Sequence, residues 1–471
     1  MRGSKVKSPI KLLLYGVATL LVFAAQTAAL AQTPPTRDPA EPPQSLPKSK
    51  PIPRPSGAIP RSSIDEKSMR GLIDNLVSCG TRISIGAWDD PKRGPGCGRD
   101  KIVAHLNEIN KVTGNKLQIV VDKFDAKSPR TFDKSAPMEN VYAILPGTDE
   151  KLSKTIFLVS GHFDSIPSIS SITDASLEAP GADDDASGVS VSVESARLLS
   201  KIVASGKGFR ATLIFAAVSG EEQGLLGSTH MLEWVKQQGY TVGGMLDDDI
   251  VGDDLSPGAP HRVRLFSGNG EIDDCDSLSR ELARAVEEID GRAAIRMIFR
   301  VDRYGRGGDH YPFYEAGMPA VRFTEPLEDY NHEHQTPRTE NGVEYGDYAK
   351  YLNAALLGNV ARDNAEALRQ LALAPAPPAE VRLAGAVTQD AKVSWIGADD
   401  PQRAGFEILW RETTEPRWSF LTFAESPGET ILKQISTDNH YFAVRAVGKN
   451  GARSIAIPTE PLRRRPAPEK K

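Results

Sequence analysis

The sequence predicts an α/β protein with a mixed, largely parallel central sheet, followed by a smaller all-β sandwich. Three observations lead there. Between about residues 62 and 373, apolar β-branched runs alternate with stretches of helical periodicity, the pattern of a parallel sheet covered on both faces. The segment Ala374-Pro375-Ala376-Pro377-Pro378 then interrupts the chain, and helix cannot continue through it. Beyond it come short alternating runs separated by turn residues, as in a β-sandwich.

Taken in order, the chain opens with Arg2, Lys5, Lys7 and Lys11, an apolar run from Leu12 to Ala25, and the small-x-small triplet Ala29-Leu30-Ala31. Residues 1–31 therefore read as a signal peptide with Gln32 as the mature N-terminus. The run is short against a membrane span of about 20 residues, so no stable membrane insertion is expected after cleavage, and the location expected is periplasmic or extracellular. Residues 32–61 are rich in Pro, Ser and Lys without periodicity and read as a disordered linker.

The catalytic-size segment, 62–373, begins with helices expected over Ile64–Val77 and Asp100–Val112. Strands are expected at Leu117–Val121, Val141–Leu145, Ile156–Val159, Leu213–Val218 and Ile295–Ile298, with helices at Gly188–Leu199, Leu225–Gln237 and Cys275–Ile289. A last long helix is expected over Asn341–Leu371. Residues 374–378 form a stiff Pro-rich linker, 379–462 the sandwich, and 463–471 a disordered basic tail.

The 471 residues include 39% apolar and 25% charged side chains, with a formal net charge of -5. That mild acidity gives no electrostatic case for nucleic acid. Of the three cysteines, Cys79 and Cys97 lie close together around a Gly/Pro-rich turn. An exported chain meets an oxidising compartment, so this pair is the disulfide expected, leaving Cys275 free and buried.

Five separated clusters carry potential chemistry, each expected near the C-terminal end of a strand or in the loop after it, where sites form on open α/β sheets. In Val159-Ser160-Gly161-His162-Phe163-Asp164, the period of two puts His162 and Asp164 on one face: either a structural pair, or a metal ligand with the carboxylate that orients it. Gly181-Ala182-Asp183-Asp184-Asp185-Ala186-Ser187-Gly188 could be an acidic helix cap, but three packed carboxylates repel unless a cation joins them. Ser219-Gly220-Glu221-Glu222-Gln223-Gly224 could likewise start a helix, or split its two acids between metal and water. Asp247, Asp248 and Asp249 interrupt an apolar strand pattern, costly if buried unpaired. Asp329-Tyr330-Asn331-His332-Glu333-His334 could be a plain polar loop.

In this order the clusters resemble the zinc-dependent exopeptidases of peptidase family M 28, the bacterial leucyl-aminopeptidase-like group, over about residues 62–371. The specific part is Gly181–Gly188 beside Ser219–Gly224, with His-x-Asp upstream. The resemblance implies a three-layer zinc-exopeptidase fold and two Zn²⁺ ions held by His162, Asp184, Glu222, Asp249 and His334, with Asp184 bridging and His332 the competing choice for the last position. It implies Glu221 as general base, Asp164 as the residue orienting His162, and a cis peptide at Asp184–Asp185. Asp309 and His310, in Gly307-Gly308-Asp309-His310-Tyr311-Pro312-Phe313, match a segment lining the substrate pocket, and Tyr304, one residue off the expected spacing, is the candidate oxyanion donor. Asp247 and Asp248 depart in charge from the family pattern, with no partner assigned.

The implied activity is hydrolysis of peptide bonds at the N-terminus of peptides. The alternatives are a carboxypeptidase or glutaminyl cyclase on the same scaffold, or a non-catalytic binding protein. The sandwich resembles a fibronectin type III domain, with Trp395 as its buried strand tryptophan and Val444-x-Ala446-Val447-Gly448-x-x-Gly451 as its penultimate strand and exit turn. His440 stands where that family has a corner tyrosine, so the corner hydrogen bond is expected to be altered or absent. Such a domain is expected to bind a surface, glycan or protein, or to pack on the catalytic domain, and deleting the residues after Pro378 is expected to spare hydrolysis.

Overall fold

The structure is a computed structural model that describes residues 52–253, 262–269, 275–291 and 294–460. The expected signal peptide, most of the expected linker and the basic tail lie outside the described residues. Helices α1 (Glu66–Val77) and α2 (Gly94–Val112) come first, then strands β1 (Gln118–Ala126), β2 (Ala136–Leu145) and β3 (Thr155–His162). Next follow α3 (Ala186–Ala204), β4 (Thr212–Val218), α4 (Leu226–Gln237), β5 (Thr241–Asp248) and β6 (Val263–Phe266). Then come α5 (Leu278–Asp290), β7 (Ile295–Ile298), α6 (Tyr311–Glu315) and β8 (Ala320–Thr324). A small hairpin, β9 (Arg338–Glu340) and β10 (Val343–Tyr345), precedes α7 (Ala354–Ala372).

Eight strands form one sheet in the order β1-β2-β4-β3-β5-β8-β6-β7. Its centre, β4-β3-β5-β8, is parallel throughout, and the antiparallel pairings lie toward the edges. Alternation along the strands divides the core in two. Phe157, Val159, Leu213, Phe215 and Ala217 face the cluster built with α1, α2, α3, α5 and α7. Ile156, Leu158, Ile214, Ala216 and Val218 face the cluster built with α4 and the buried Phe313 of α6. The result is the three-layer arrangement, and it aligns the C-terminal ends of four parallel strands along one edge.

Two expectations need correction. The last helix begins at Ala354 rather than near residue 341. Gly342 and Gly346 adopt φ of +79° and +118°, turning the chain through the hairpin, and the side chain of Asn353 caps the helix by accepting from the amides of Ala355 and Leu356. The linker expected to be disordered as far as residue 61 is packed in its described part. Ile59 is buried and its amide donates to Glu366, while Arg54 donates to Gln370.

That sandwich comprises β11 (Ala379–Ala384), β12 (Ala391–Ile396), β13 (Arg403–Glu412), β14 (Phe420–Ala424), β15 (Gly428–Leu432), β16 (His440–Gly448) and β17 (Ile457–Pro458). Antiparallel sheets β11-β12-β15 and β14-β13-β16-β17 enclose Trp395, Phe406, Ile408, Trp410, Phe442 and Val444. At the corner the hydrogen bond is altered and not absent: His440 Nδ1 lies 2.9 Å from the carbonyl of Ser436, which a ring N–H reaches as a phenol would.

The outer face of the four-stranded sheet is not free. Its Glu407, Arg411 and Arg445 are buried; Arg445 meets Glu288 of α5 and Arg411 meets Asp276 just before it. Trp418 donates to Glu281 at 2.9 Å, Arg284 to the carbonyl of Pro416 at 2.8 Å, and Arg417 to Glu287 at 2.6 Å. Ile455 belongs to the main core of the larger domain. The two domains pack directly on each other through these contacts.

Candidate metal centre

The central strands deliver their ends to one place. His162 closes β3, Ser219–Glu222 follow β4, Asp249 follows β5, and the chain after β8 returns His334. The loop before α3 adds Asp184, joined to Asp185 by a cis peptide. Close backbone approach makes this possible. A Cβ on Gly188 would lie 1.9 Å from the carbonyl oxygen of Asp248, and one on Gly161 would lie 2.5 Å from the backbone of Gly188 and Val189, so only glycine fits at either position.

Asp184 sits between two imidazoles. Its Oδ1 is 3.0 Å from His162 Nε2, and its Oδ2 is 2.9 Å from His334 Nε2. His334 Nε2 is also 3.0 Å from Glu222 Oε1, and His162 Nε2 is 3.9 Å from Asp249 Oδ1. Thus one carboxylate faces two groups of donors, His162 with Asp249 on one side and His334 with Glu222 on the other. The structure brings all five of these residues together.

It also separates the two histidines of the last cluster. His332 turns away, stacking on Tyr351 at 3.6 Å with its Nδ1 3.1 Å from Asp253. Between them, Glu333 was not singled out by the sequence, yet it is buried and offers a donor atom beside those of Asp184 and His334. Its Oε2 has no hydrogen-bond partner, and Arg306 holds its Oε1. Only its place beside His334 in sequence could have marked it.

The surrounding residues orient the donors. His162 Nδ1 lies 3.2 Å from the carbonyl of Asp164 and 3.4 Å from its carboxylate, which leaves Nε2 as the ring atom directed inward. The same carboxylate accepts the amides of Glu221 at 3.4 Å and Glu222 at 3.2 Å, fixing the turn that carries them. Asp185 caps α3 through the Gly188 amide at 2.7 Å and accepts the His162 amide at 3.0 Å. Asp347 accepts both the Asp183 and Asp184 amides.

Charge shows what the cluster requires. Burial pushes Glu221 well above the ordinary carboxylate range and raises Glu222 and Asp249. Burial opposes protonation of His334, but Glu222 and Asp184 overcome it and push the ring up to about 12. Asp184, which burial would raise, is held well below its usual range by His334 and His162. Anions outnumber cations in a buried space, and Asp249 Oδ1 is left with no hydrogen-bond partner at all. Nitrogen and carboxylate donors in this number suit zinc, so the residues present fit the metal.

The remaining sequence candidates are placed differently. Asp309 is buried and pushed well up by burial and by the neighbouring Asp247. Its charge adds to the upward push on Glu221. His310, expected in the substrate pocket, is instead 1% exposed, with Nδ1 3.3 Å from Asp247 and Nε2 2.8 Å from the carbonyl of Val301. Both ring nitrogens are occupied by the protein, which gives it a structural position. Tyr304 is 88% exposed under the guanidinium of Arg300 and does not join the cluster. Asp247 receives Ser160 Oγ at 3.0 Å and the His310 amide at 3.2 Å, while Asp248 receives the Asn364 amide at 2.9 Å. These contacts account for two acids that the sequence left without partners.

Sequence reasoning also missed Arg82. It is fully buried and donates to the carbonyls of Phe163 at 2.6 Å, Pro180 at 2.7 Å and Gly181 at 2.8 Å. It therefore pins the loop after β3 to the loop carrying Asp184, and the Cys79–Cys97 disulfide closes the segment it stands on. Arg82→Met strands these carbonyls away from water. We expect it to lower stability by about 3 kcal/mol or more, read as a fall in thermal melting temperature.

Comparison with known proteins identifies the family. Residues 140–361 match the model of peptidase family M28. The chain is 33% identical over 436 residues to a protein of Pyrenophora tritici-repentis named "Probable zinc metalloprotease", covering 86% of this chain and 88% of that one. It is 33% identical over 416 residues to a similarly named protein of Leptosphaeria maculans, covering 84% of this chain and 94% of that one. Among solved structures, the LapA aminopeptidase of Legionella pneumophila is 18% identical, with a TM-score of 0.48 over 66% of this chain and 73% of that one. With relatives of that identity matched over most of their length, and with its own buried nitrogen and carboxylate donors, the chain belongs to peptidase family M28 and is a zinc-dependent peptidase.

Proposed function

We propose that the protein is an exported di-zinc aminopeptidase in which His162, Asp184, Glu222, Asp249 and His334 are the metal ligands and Glu221 is the general base. The observation that carries this reading is the position of Asp184, whose two oxygens stand 3.0 and 2.9 Å from the two inward-facing imidazole nitrogens. A carboxylate so placed is suited to join two ions, as paired-metal hydrolases require.

Bound zinc supplies Lewis acidity, making water easier to deprotonate and polarising the scissile carbonyl. Glu221 accepts the proton of the attacking water and returns it to the departing amine. Its raised proton affinity, a consequence of burial, suits a group that must hold a proton between the two steps. Asp164 keeps Glu221 and Glu222 in register by accepting both their amides. The free α-amine of a peptide N-terminus is a nitrogen donor of the kind zinc accepts, which would select for cleavage at that end. Export is supported by the leader-like N-terminus and by the Cys79–Cys97 disulfide, a bond that persists in oxidising compartments. No helix among the described residues is long and apolar enough to cross a membrane.

The test is metal analysis combined with a panel of aminoacyl-4-nitroanilides. The expected result is two zinc equivalents per chain and hydrolysis that a chelator abolishes and zinc restores, with N-acetylated substrates left intact. A single equivalent together with cyclisation of N-terminal glutamine would replace this reading with the cyclase alternative.

A further inference from the structure

A buried arginine lies against one of the proposed metal ligands, an unexpected neighbour for a donor to a cation. Arg322 is on β8, paired in register with Asp247 of the parallel neighbour β5. Asp249 lies two residues beyond Asp247, on the same side of the strand's path. Arg322 is 0% exposed, and its Nη2 lies 2.8 Å from Asp249 Oδ2. This is a charge contact without the alignment of a hydrogen bond. The other end of the guanidinium is anchored: Nη1 donates to the carbonyl of Gly307 at 2.5 Å and to Asp302 Oδ2 at 3.2 Å. Asp302 is itself fixed by the amide of Arg303. Gly308 leaves the room this needs, since a Cβ there would stand 2.6 Å from Nη1.

The two oxygens of Asp249 therefore differ. Oδ2 is occupied by Arg322, while Oδ1 has no hydrogen-bond partner and faces His162 Nε2 at 3.9 Å. We propose that Arg322 is a positioning residue that holds Asp249 by Oδ2, so that Oδ1 alone is presented as a donor to the ion shared with His162. This rests on the reading of Asp249 as a ligand. The contact restrains the carboxylate from rotating or from engaging the ion through both oxygens, and it offsets part of the negative charge gathered there. Lysine cannot substitute fully, because a single ammonium does not span Asp249 and Asp302 as a planar fork does.

The experiment measures zinc affinity in the full-length protein by chelator competition, following the two equivalents separately, with visible spectra of the cobalt-substituted form. Outer partners of metal ligands typically change affinity about 10–100-fold, and Arg322→Met is expected to weaken one equivalent by that much while leaving the other at its wild-type value. Arg322→Lys is expected to fall between the two. Asp302→Asn, which removes only the anchor, is expected to weaken the same equivalent less and serves if Arg322→Met does not fold. A purely structural arginine would lower the melting temperature without singling out one ion. Folded variants with both affinities and the cobalt spectrum unchanged overturn the proposal. Retention of both equivalents by Asp249→Ala overturns the ligand reading beneath it.

Discussion

Glu221→Gln is expected to keep its zinc and lose about 10²–10⁴-fold in kcat, the usual contribution of a positioned general base. The substitution preserves size and leaves the turn intact, because Asp164 accepts backbone amides at 221 and 222 and not their side chains. What disappears is the only part of Glu221 the mechanism uses, a carboxylate able to take and release a proton. Glu222→Gln is the contrasting case. Its Oε1 stands 3.0 Å from His334 Nε2, within the donor group, so the expected loss is of zinc itself. Zinc content and kcat measured on both variants separate the roles: one with metal and little turnover, the other with reduced metal. Near-normal kcat in Glu221→Gln would remove the base assignment, and equal zinc loss in both would mean that the two adjacent acids are not divided between water and metal.

The candidate donors were legible in the sequence because three of them, His162, Glu222 and Asp249, end or follow apolar strands and because the order of all five matches a known pattern. Strand ends marked where His162, Glu222 and Asp249 would sit, but their roles came from the order of the clusters and its resemblance to a known family, because each cluster taken singly has a structural reading as well. What the sequence did not disclose depends on residues distant in the chain. Arg82 reads as an ordinary charged residue, and only the folded chain shows it gathering carbonyls from two loops. Arg322 sits in a short strand that the apolar pattern did not reveal, and its value lies in partners at 249 and 302. His310 was misplaced for the opposite reason. Its motif suggested a pocket, but a buried Asp247 and a backbone carbonyl already occupy its ring. Tyr304 was named although its spacing was one residue off the pattern, and at 88% exposure it does not join the cluster.

The sandwich was read as a separable module because composition changes at the Pro-rich linker, and composition reports nothing about what a sheet's outer face touches. That face carries Glu407, Arg411 and Arg445, which a free domain would present to water. Here Glu407 accepts from Arg445 at 2.7 Å and from Arg453 at 2.8 Å. Arg445 continues to Glu288 of α5, Glu288 meets Arg54 at 3.0 Å, and Arg453 reaches the carbonyl of Ile52 at 2.7 Å. One chain of charges thus joins the sandwich, the helix and the N-terminal arm, beside an apolar seam through Ile455. Glu407→Ala leaves two buried guanidinium groups without their shared partner, and breaking such a pair costs about 3–5 kcal/mol. At roughly 2–4 °C per kcal/mol for larger domains, melting should fall by roughly 6–20 °C, and activity should be lost in the same transition as the fold. Truncation after Pro378 should be harsher and yield little soluble enzyme, because it also uncovers the seam. Full-length protein should melt in a single step by tryptophan fluorescence and by residual activity. A truncated chain that is soluble and active, or a Glu407→Ala sandwich that melts while hydrolysis persists, would show that the two domains are independent after all.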